Sequence, residues 1–572
     1  RLPAWESTPL TWACHCFRCT RSASFPRLKT TGRWRRSCGG TGRLHDSSYN
    51  AAFALDRSAW ANPSALSVVY GEQRWTVAQA AHVTRQLAQL LVQAGVSRGD
   101  RVLFVAHNSP YHLFVYIACA RVGAIFVPVP FRLTQSEVQE IVDFCSPRVV
   151  FADATVAARG SFSSAGSLVS FLIDDDPSDI SYSAGIANGY FALAPALATN
   201  DGNFVSDSSR SGSSSLNCVE YPTGTAAIFY TSGSASGSLR AVELTHQNLW
   251  WSARNFREAF GYGTQDVIVV GASLAHIGGF NGGTLDLFVS GGTVVLTRSF
   301  QASEILKLIE EWQATIFFGV PTMFWAILEQ PDLAGFDLTS LRLPVIGGAP
   351  VSRTLVEKLK SAGLRPVVVW GMTETAGSGT FRPCGVGSAG SVGRPFAHIE
   401  ARIVDPQTCT DANVGELLVR GPSVSPGYWH NVEQTRASFM DGGWLRTGDV
   451  AVGGSEVTVV GRLSDRISTG GEGVNPAEVE KVLRGHPKIE DAVVVGIPDE
   501  VWGEVVAAAI VCDDAAVPTL AELQAFAARV LARYKLPRGL ARIERVPLNG
   551  DGEIDRVAVK DRLASAPPAL GQ

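Results

Sequence analysis

Short apolar runs alternate with amphipathic segments along most of the chain. Four runs predict buried strands, because each is short, mostly apolar and bounded by polar or turn-forming residues: Val102–Ala106, Val149–Ala152, Thr315–Phe318 and Val367–Trp370. Thr134 and Glu137 have the spacing of a capping box, which predicts the start of a helix that continues towards Cys145. Residues Glu304–Trp312 also have helical spacing. This alternation predicts an α/β fold in which parallel or mixed sheets are flanked by helices.

The character of the sequence changes after Gly461-Arg462. The elements predicted beyond this point alternate like a βαβ unit: the helices Glu478–Leu483 and Leu520–Tyr534, and the strands Ala492–Gly496 and Val505–Val511. About 100 residues are enough for a separate domain, and the joint Arg462-Leu463-Ser464-Asp465 is short and polar. We therefore expect a large domain over residues 49–462 and a small, mobile α+β domain over residues 465–572.

Residues 1–48 differ from the rest of the chain. Residues 1–45 contain nine basic residues and one acidic residue, Glu6, together with four of the ten cysteines. Cys14, Cys16 and Cys19 leave a zinc site open, although their spacing is not that of a standard zinc finger. The Arg-rich composition is also compatible with a transit peptide. We expect a disordered upstream extension here, and an exposed loop or insertion at residues 198–217, which are rich in Ser, Asn, Asp and Gly.

Composition and charge exclude several classes of protein. The apolar stretch Tyr111–Pro130 is interrupted by Arg121, so we expect a buried helix followed by a buried strand and no transmembrane segment. Hydrophobic residues make up 46% and charged residues 18% of the chain, as in globular proteins. The net charge of −4 does not support a nucleic-acid-binding chain. Ten cysteines among 572 residues are too few for a disulfide scaffold, so we expect a reducing, cytoplasmic environment. The sequence does not indicate the oligomeric state.

A candidate phosphate-binding loop follows the predicted strand Ile228–Tyr230. The next residues are Thr231-Ser232-Gly233-Ser234-Ala235-Ser236-Gly237-Ser238. Glycine allows backbone N–H groups to approach a polyphosphate closely, and hydroxyl groups donate to phosphate oxygens. The Gly-Lys-Ser/Thr of a Walker A loop is missing. On these residues alone, a flexible Ser/Gly loop is an equally good interpretation.

Two further segments carry candidate chemistry. Trp370-Gly371-Met372-Thr373-Glu374 follows a predicted strand; its aromatic ring can stack on a base, and its carboxylate can bind Mg²⁺. The alternatives are a core tryptophan and a helix cap. Asp449, in Thr447-Gly448-Asp449, can accept two ribose hydroxyls, and the alternative there is an Asx turn.

Seven motifs occur in the order and spacing of the adenylate-forming superfamily, which the chain resembles. That group includes AMP-forming acyl-CoA synthetases, aryl-CoA ligases, peptide-synthetase adenylation domains and luciferases. The motifs are Tyr230–Gly237, Gly347-Gly348-Ala349-Pro350, Trp370–Glu374, Gly415-Glu416-Leu417, Thr447–Asp449, Gly461-Arg462 and Gly471–Glu480. The resemblance covers roughly residues 50–565, and the segment His276–Gly282 is similar to the acyl-CoA synthetase branch.

The resemblance implies a two-step reaction that uses ATP, Mg²⁺ and coenzyme A. A small-molecule carboxylic acid, fatty or aromatic, attacks the α-phosphate of ATP, and a thiol then displaces AMP after the small domain rotates. The residues implied to bind the nucleotide are Thr231, Ser232, Gly233 and Gly237 at the phosphates, Gly347, Gly348, Ala349, Pro350 and Trp370 at adenine, and Asp449 and Arg462 at the ribose. The other implied roles are Thr373 at the α-phosphate, Glu374 at Mg²⁺, His276, Gly279 and Gly371 at the acyl group, and Asp465 at the hinge.

The predicted phosphate loop departs from the family pattern. Ser234-Ala235-Ser236 places three residues before Gly237, where the family has two. Arg240 stands in the place of the loop lysine and preserves its charge. The inserted residue is therefore expected to change the shape of the loop.

The C-terminal part departs from the pattern as well. Glu553, in the motif Pro547–Arg556, stands where the family has the lysine that contacts the substrate carboxylate and the α-phosphate. One pair of unit charges 4 Å apart at an effective dielectric constant of ~20 interacts by ~4 kcal/mol, so the reversed charge costs up to ~8 kcal/mol. Ser468 and Gly473 replace the usual Lys and Asn near the thiol-forming site.

Three hypotheses therefore remain open at this stage. The chain is an AMP-forming ligase that joins a carboxylic acid to coenzyme A. Alternatively it is a relative with unusual chemistry, such as amide formation or activation of a small oxyanion like nitrite. The third hypothesis is a catalytically impaired paralogue that still binds nucleotide.

Overall fold

A computed structural model describes the chain in thirteen stretches. These are residues 46–164, 166, 168–173, 185–198, 223–231, 240–384, 390–465, 467–469, 472–499, 502–513, 517–531, 533–548 and 554–565. Residues 1–45, which make up nearly all of the predicted disordered extension and contain Cys14, Cys16 and Cys19, lie outside them, and so does nearly all of the predicted loop at 198–217. The structure therefore bears on the predicted nucleotide and acyl site but not on the N-terminal extension.

The strands carry most of the predicted motifs, and they are numbered in chain order. They are β1 Leu66–Tyr70, β2 Gln73–Thr76, β3 Arg101–Ala106, β4 Ile125–Pro130, β5 Val149–Ala152, β6 Val169–Leu172, β7 Phe191–Ala192, β8 Thr225–Thr231, β9 Arg240–Thr245, β10 Val267–Val270, β11 Thr293–Leu296, β12 Ile316–Gly319, β13 Leu343–Ile346, β14 Val367–Trp370, β15 Thr380–Arg382, β16 Ser391–Pro395, β17 Glu400–Val404, β18 Val414–Arg420, β19 Gly427–Tyr428, β20 Phe439–Met440, β21 Trp444–Val452, β22 Val457–Arg462, β23 Ile467–Thr469, β24 Glu472–Val474, β25 Asp491–Asp499, β26 Gly503–Val511 and β27 Gly539–Arg542.

The helices connect and cover these strands. The α-helices are Ala51–Ala61, Val77–Gln93, Pro110–Val122, Gln135–Cys145, Ala154–Ala157, Leu193–Ala198, His246–Phe260, Ile277–Asn281, Thr284–Ser290, Ala302–Glu311, Pro321–Leu328, Arg353–Ser361, Val432–Ser438, Pro476–Leu483, Leu520–Ala527 and Arg556–Ser565. None of the helices in the described stretches combines the length and the apolarity that crossing a bilayer requires.

Within the described residues the strands form three sheets. The first has the order β17-β18-β21-β22-β16-β15-β14-β13-β12-β10-β11-β1-β2, with β20 beside β21. The second has the order β19-β9-β8-β4-β3-β5-β6-β7, and the third β24-β23-β26-β25, with β27 beside β26. Strands β12, β13 and β14 are parallel neighbours. Their carboxyl ends therefore meet at one edge, where ligands of such sheets bind.

The helix Pro110–Val122 lies between the first two sheets. Tyr116 packs on Phe126 of β4 with ring centroids 5.8 Å apart, and Phe114 packs on Trp75 of β2 at 5.7 Å. A helix that is apolar all round is buried, and the predicted buried helix and strand at Tyr111–Pro130 are confirmed. Arg121 is itself buried, because its guanidinium donates to the carboxylate of Asp56 at 2.8 Å.

Most predicted elements are confirmed, including β5 and β14 with the predicted bounds and the capping box that starts the helix Gln135–Cys145. Two C-terminal predictions are wrong. The helix predicted over Leu520–Tyr534 ends at Ala527, because Leu531 and Tyr534 turn back onto the core of the third sheet. The predicted βαβ-like alternation fails at β25 and β26, which form an antiparallel pair. The segment between them is too short for a parallel crossover, which needs a dozen or more residues.

Candidate active site

The side chains predicted to bind ribose meet at the end of β14. The Trp370 Nε1–H group donates to Asp449 Oδ2 at 2.9 Å, and Arg462 Nε lies 2.9 Å from Asp449 Oδ1. Asp449 in β21 and Arg462 in β22 are direct partners in the antiparallel register. The sheet therefore fixes this ion pair. The structure thus brings together Trp370, predicted at adenine, with Asp449 and Arg462, predicted at the ribose.

The Asp449 carboxylate is buried, with 4% of the residue exposed. Burial raises the pKa of this carboxyl, and the charges of Glu374 and Asp465 raise it further. The charge of Arg462 and the Trp370 hydrogen bond act in the opposite direction. Three carboxylates therefore share one region, and a cationic or hydrogen-bonding ligand there is favoured electrostatically.

Glu374 lies in the turn Thr373–Thr375 directly after β14 and is 5% exposed. Its Oε1 accepts a hydrogen bond from the Tyr428 hydroxyl at 2.7 Å. Burial, followed by the charge of Glu374, raises the pKa of Tyr428, so this hydroxyl remains a donor at neutral pH. Tyr428 was not among the predicted site residues. The sequence offered no signal for it, since the contact joins residues 54 positions apart.

The two ends of the predicted phosphate loop are held beside each other. Thr231 ends β8, Arg240 begins β9, and the two residues are partners in the antiparallel register. Strand β9 also pairs with β19, where Tyr428 is the direct partner of Val242, so this end of the loop lies near the Tyr428–Glu374 contact. The predicted residues Ser232, Gly233 and Gly237 lie outside the described residues.

The predicted adenine loop Gly347–Pro350 follows β13, beside the strand that ends in Trp370. Gly348 has a φ of +82°, in the left-handed region that favours glycine. A Cβ atom at Gly347 would lie 3.0 Å from the Val369 carbonyl oxygen and 3.4 Å from the Phe318 ring. A side chain at Gly347 would therefore be tightly packed against the backbone and the ring.

The predicted acyl-binding residues lie around the helix Ile277–Asn281, which begins after His276. A Cβ atom at Gly279 would lie 2.2 Å from the Ser273 carbonyl oxygen, so this position admits no side chain. A Cβ atom at Gly278 would lie 2.8 Å from the ring of Phe318. Phe318 thus lies between the predicted acyl segment and the adenine loop, and it is a second residue that the sequence did not single out.

One carbonyl group joins the acyl segment to the nucleotide turn. The Ala376 carbonyl oxygen accepts hydrogen bonds from Ser252 Oγ at 2.8 Å and from Asn281 Nδ2 at 2.9 Å. Ala376 has a φ of +53°. A Cβ atom at Gly371 would lie 2.2 Å from the Gly377 carbonyl oxygen, which keeps the turn tight. A shift of the acyl segment would therefore displace the turn that carries Glu374.

The predicted hinge residue Asp465 contacts the C-terminal motif. Its Oδ2 lies 3.0 Å from Arg556 Nε, and Arg556 Nη1 also donates to the buried Glu480 at 2.7 Å. Ser468 and Gly473, the two departures near the predicted thiol site, are direct cross-strand partners in β23 and β24. Glu553 lies outside the described residues.

Matches to family models identify the protein family of the chain. The model described as AMP-binding enzyme matches residues 55–429, and the model for the C-terminal domain of AMP-binding enzymes matches residues 478–553. The chain belongs to the AMP-binding enzymes. The predicted adenylate-forming family is confirmed.

Relatives and solved structures agree with this family. Feruloyl-CoA synthase from Amycolatopsis sp is 33% identical over 89% of this chain and 98% of its own, and indoleacetate–CoA ligase from Aromatoleum aromaticum is 31% identical over 89% and 97%. The ATP-bound crystal structure of MatB from Rhodopseudomonas palustris superposes with a TM-score of 0.77 at 25% identity, over 90% of this chain and 99% of its own. The predicted α/β fold with a small C-terminal domain is confirmed, and so is the prediction of an AMP-forming acid–CoA ligase by class.

The buried carboxylate of Glu374 also fits Mg²⁺. Among the described residues, no group of three or more His, Cys, Asp or Glu side chains is arranged to hold a metal ion. Mg²⁺ does not need such a cage, because it is commonly held by one or two carboxylates together with substrate phosphates. ATP, Mg²⁺ and coenzyme A are the substrates and cofactor of this enzyme family, as the sequence predicted.

Proposed function

We propose that this AMP-binding enzyme joins a small-molecule carboxylic acid to coenzyme A in two steps. A carboxylate oxygen of the acid attacks the α-phosphorus of ATP, and the bond to the pyrophosphate oxygen breaks. The thiol sulfur of coenzyme A then attacks the acyl carbon, and AMP leaves. We also propose a cytoplasmic location, which the sparse cysteines support.

The observation that carries the proposal is the buried Asp449 carboxylate, held by Trp370 on one oxygen and by Arg462 on the other, each at 2.9 Å. In the proposed complex Asp449 and Arg462 hold the ribose, and Trp370 lies against adenine. Glu374 holds Mg²⁺, which would neutralise charge on the phosphates, and Tyr428 orients Glu374. Positioning and charge stabilisation of this kind account for most of the catalysis of such transfers.

We infer an aromatic acid as the substrate class. The names of two relatives support this inference, since one is a feruloyl-CoA synthase and the other an indoleacetate–CoA ligase. His276, Gly279 and Gly371 are proposed to line the acid site, and a fatty acid is the alternative.

A second candidate function is nucleotide binding without efficient adenylation. Glu553 favours it, because an anion at the lysine position repels both the substrate carboxylate and the α-phosphate. Ser468 and Gly473 extend this doubt to the thiol step, since two partners in one hairpin both differ from the family pattern. The same departures leave room for a relative with unusual chemistry.

ATP–pyrophosphate exchange tests the first step alone. The wild-type chain is compared with Glu553→Lys, which restores the family charge, and with Glu553→Gln, which removes the negative charge without adding a positive one. Each is assayed with a panel of aromatic and fatty acids. We expect exchange with an aromatic acid, and a rate that rises from Glu553 to Gln to Lys, because each change removes repulsion or adds attraction.

The outcomes separate the candidates. Exchange by the wild-type chain supports the ligase. Exchange by Glu553→Lys alone means that the native chain is a nucleotide-binding paralogue. If the wild type and both variants bind ATP tightly but show no pyrophosphate exchange with any acid of the panel, activation of these acids is rejected. Chemistry on another substrate then remains.

A further inference from the structure

The indole N–H group of Trp370 donates to a buried carboxylate, that of Asp449. The donor belongs to the aromatic ring that is proposed to stack on adenine. The distance from Nε1 to Asp449 Oδ2 is 2.9 Å, and the residues are 79 positions apart. Phenylalanine and tyrosine have no donor at this place on the ring. The contact therefore depends on tryptophan specifically.

Two features fix the indole ring in this orientation. A Cβ atom at Gly379 would lie 2.4 Å from Cε3 and Cζ3 of Trp370, so the ring packs on a position that admits only glycine. The Gly379 N–H group also donates to the Trp370 carbonyl oxygen at 3.1 Å. Any side chain at residue 379 would displace the ring and with it the N–H group.

The two contacts clamp the carboxylate and still leave it able to bind a ligand. Arg462 contacts Oδ1 and Trp370 contacts Oδ2. A carboxylate offers roughly four acceptor positions, so these contacts use two of them. Two positions, one on each oxygen, match the two adjacent hydroxyl groups of a ribose.

We propose that Trp370 is a positioning residue for ribose recognition: its indole N–H group holds the Asp449 carboxylate in the orientation that accepts the 2′- and 3′-hydroxyls of the nucleotide. This inference rests on the proposed function only as far as adenine nucleotide binding. It assigns to the ring edge a role that stacking by the ring face does not explain. The chain should therefore lose discrimination between ribose and deoxyribose when the N–H group is removed and the aromatic face is kept.

The test is calorimetric binding of AMP, 2′-deoxy-AMP and 3′-deoxy-AMP to the full chain, with Trp370→Phe as the main variant. A hydrogen bond to a charged group contributes enough for about a tenfold change in an equilibrium constant. We expect the ratio of deoxy-AMP to AMP dissociation constants to fall about tenfold in Trp370→Phe. Loss of stacking or of general structure weakens all three ligands together and leaves the ratio unchanged.

Two further variants make the test independent of one substitution. Gly379→Ala keeps the indole but displaces it, so the same fall in the ratio is expected. In an Asp449→Asn background, Trp370→Phe should not change the ratio further, because the residue that it positions has already lost its charge.

A ratio that stays at the wild-type value in both Trp370→Phe and Gly379→Ala overturns the inference and leaves the proposed function standing. A wild-type chain that binds none of the three nucleotides overturns both. Binding does not require turnover, so a chain silenced at Glu553 still gives a decisive result.

Discussion

Tyr428→Phe should weaken the contribution of Mg²⁺ to ATP binding. The substitution removes the hydroxyl that donates to Glu374 Oε1 at 2.7 Å, and both residues are buried. A hydrogen bond to a charged group contributes about 1.5–3 kcal/mol, which corresponds to a factor of roughly 10–100 in affinity. Residues that orient a metal ligand have effects of the same size, about 10–100-fold. Both estimates therefore predict a loss of at least tenfold.

The assay is a binding titration of ATP in the presence of Mg²⁺ and in the presence of a chelator. For the wild-type chain the ratio of the two dissociation constants gives the contribution of Mg²⁺. In Tyr428→Phe this ratio should fall at least tenfold, while the affinity with chelator stays close to that of the wild type. Tyr190→Phe is the matched control, since Tyr190 is also buried and its hydroxyl donates to the Gly160 carbonyl group at 3.4 Å. An unchanged ratio in Tyr428→Phe would refute the role given to Tyr428 in orienting Glu374.

Two further predictions concern stability and substrate size. His112 is fully buried, and burial lowers its pKa from 6.5 to about 3; the unfolded chain then binds the proton and the folded chain does not, so stability is present above pH 6.5 and is lost as the pH falls towards 3. At pH 5 this loss of stability is about 2 kcal/mol. His112→Leu should therefore narrow the difference between the urea midpoints measured at pH 5 and pH 7.5. An equal difference in the variant and the wild type would contradict the prediction. Phe318→Val should open space beside Gly278, so the preference for a two-ring over a one-ring aromatic acid should rise roughly tenfold. The preference is measured by pyrophosphate exchange, with the substitution made in the wild-type chain or in Glu553→Lys, whichever exchanges faster. An unchanged preference would show that Phe318 does not line the acid site.

Local patterns were sufficient for most of the framework. Strands β5 and β14 are uninterrupted apolar runs, and their bounds follow from the polar, proline or glycine residues beside them. The helix predicted over Leu520–Tyr534 shows where this reasoning stops. Its residues have good helix propensity, but propensity is a weak preference that tertiary packing overrides. Here the return of Leu531 to the core of the third sheet decides where the helix ends.

The sequence predicted only those site residues that belong to recognisable motifs. Trp370, Glu374 and Asp449 belong to recognisable segments, so their types and order were enough to propose them. Tyr428 and Phe318 have no such segment, because their importance comes from contacts with Glu374 and Gly278 that only the folded chain creates. Period and spacing describe neighbours along the chain, whereas these contacts depend on how separate strands meet.

Asp449 and Arg462 match the family pattern, and two explanations are possible: a role in nucleotide binding or a role in the stability of the fold. The contacts of Asp449 bear on the second explanation. Asp449 is buried, whereas the Arg462 side chain is 44% exposed, so solvent screens their ion pair and weakens its contribution to stability. The pair nevertheless satisfies a buried carboxylate, and it contributes to the fold whether or not the chain catalyses a reaction. The position of Glu553 differs from this pair, because the lysine that the family has there serves the adenylation reaction. A chain that had lost adenylation would keep Asp449 and Arg462 for stability while changing the lysine position. Nucleotide binding alone is thus insufficient to establish the ligase activity, and pyrophosphate exchange is the measurement that decides it.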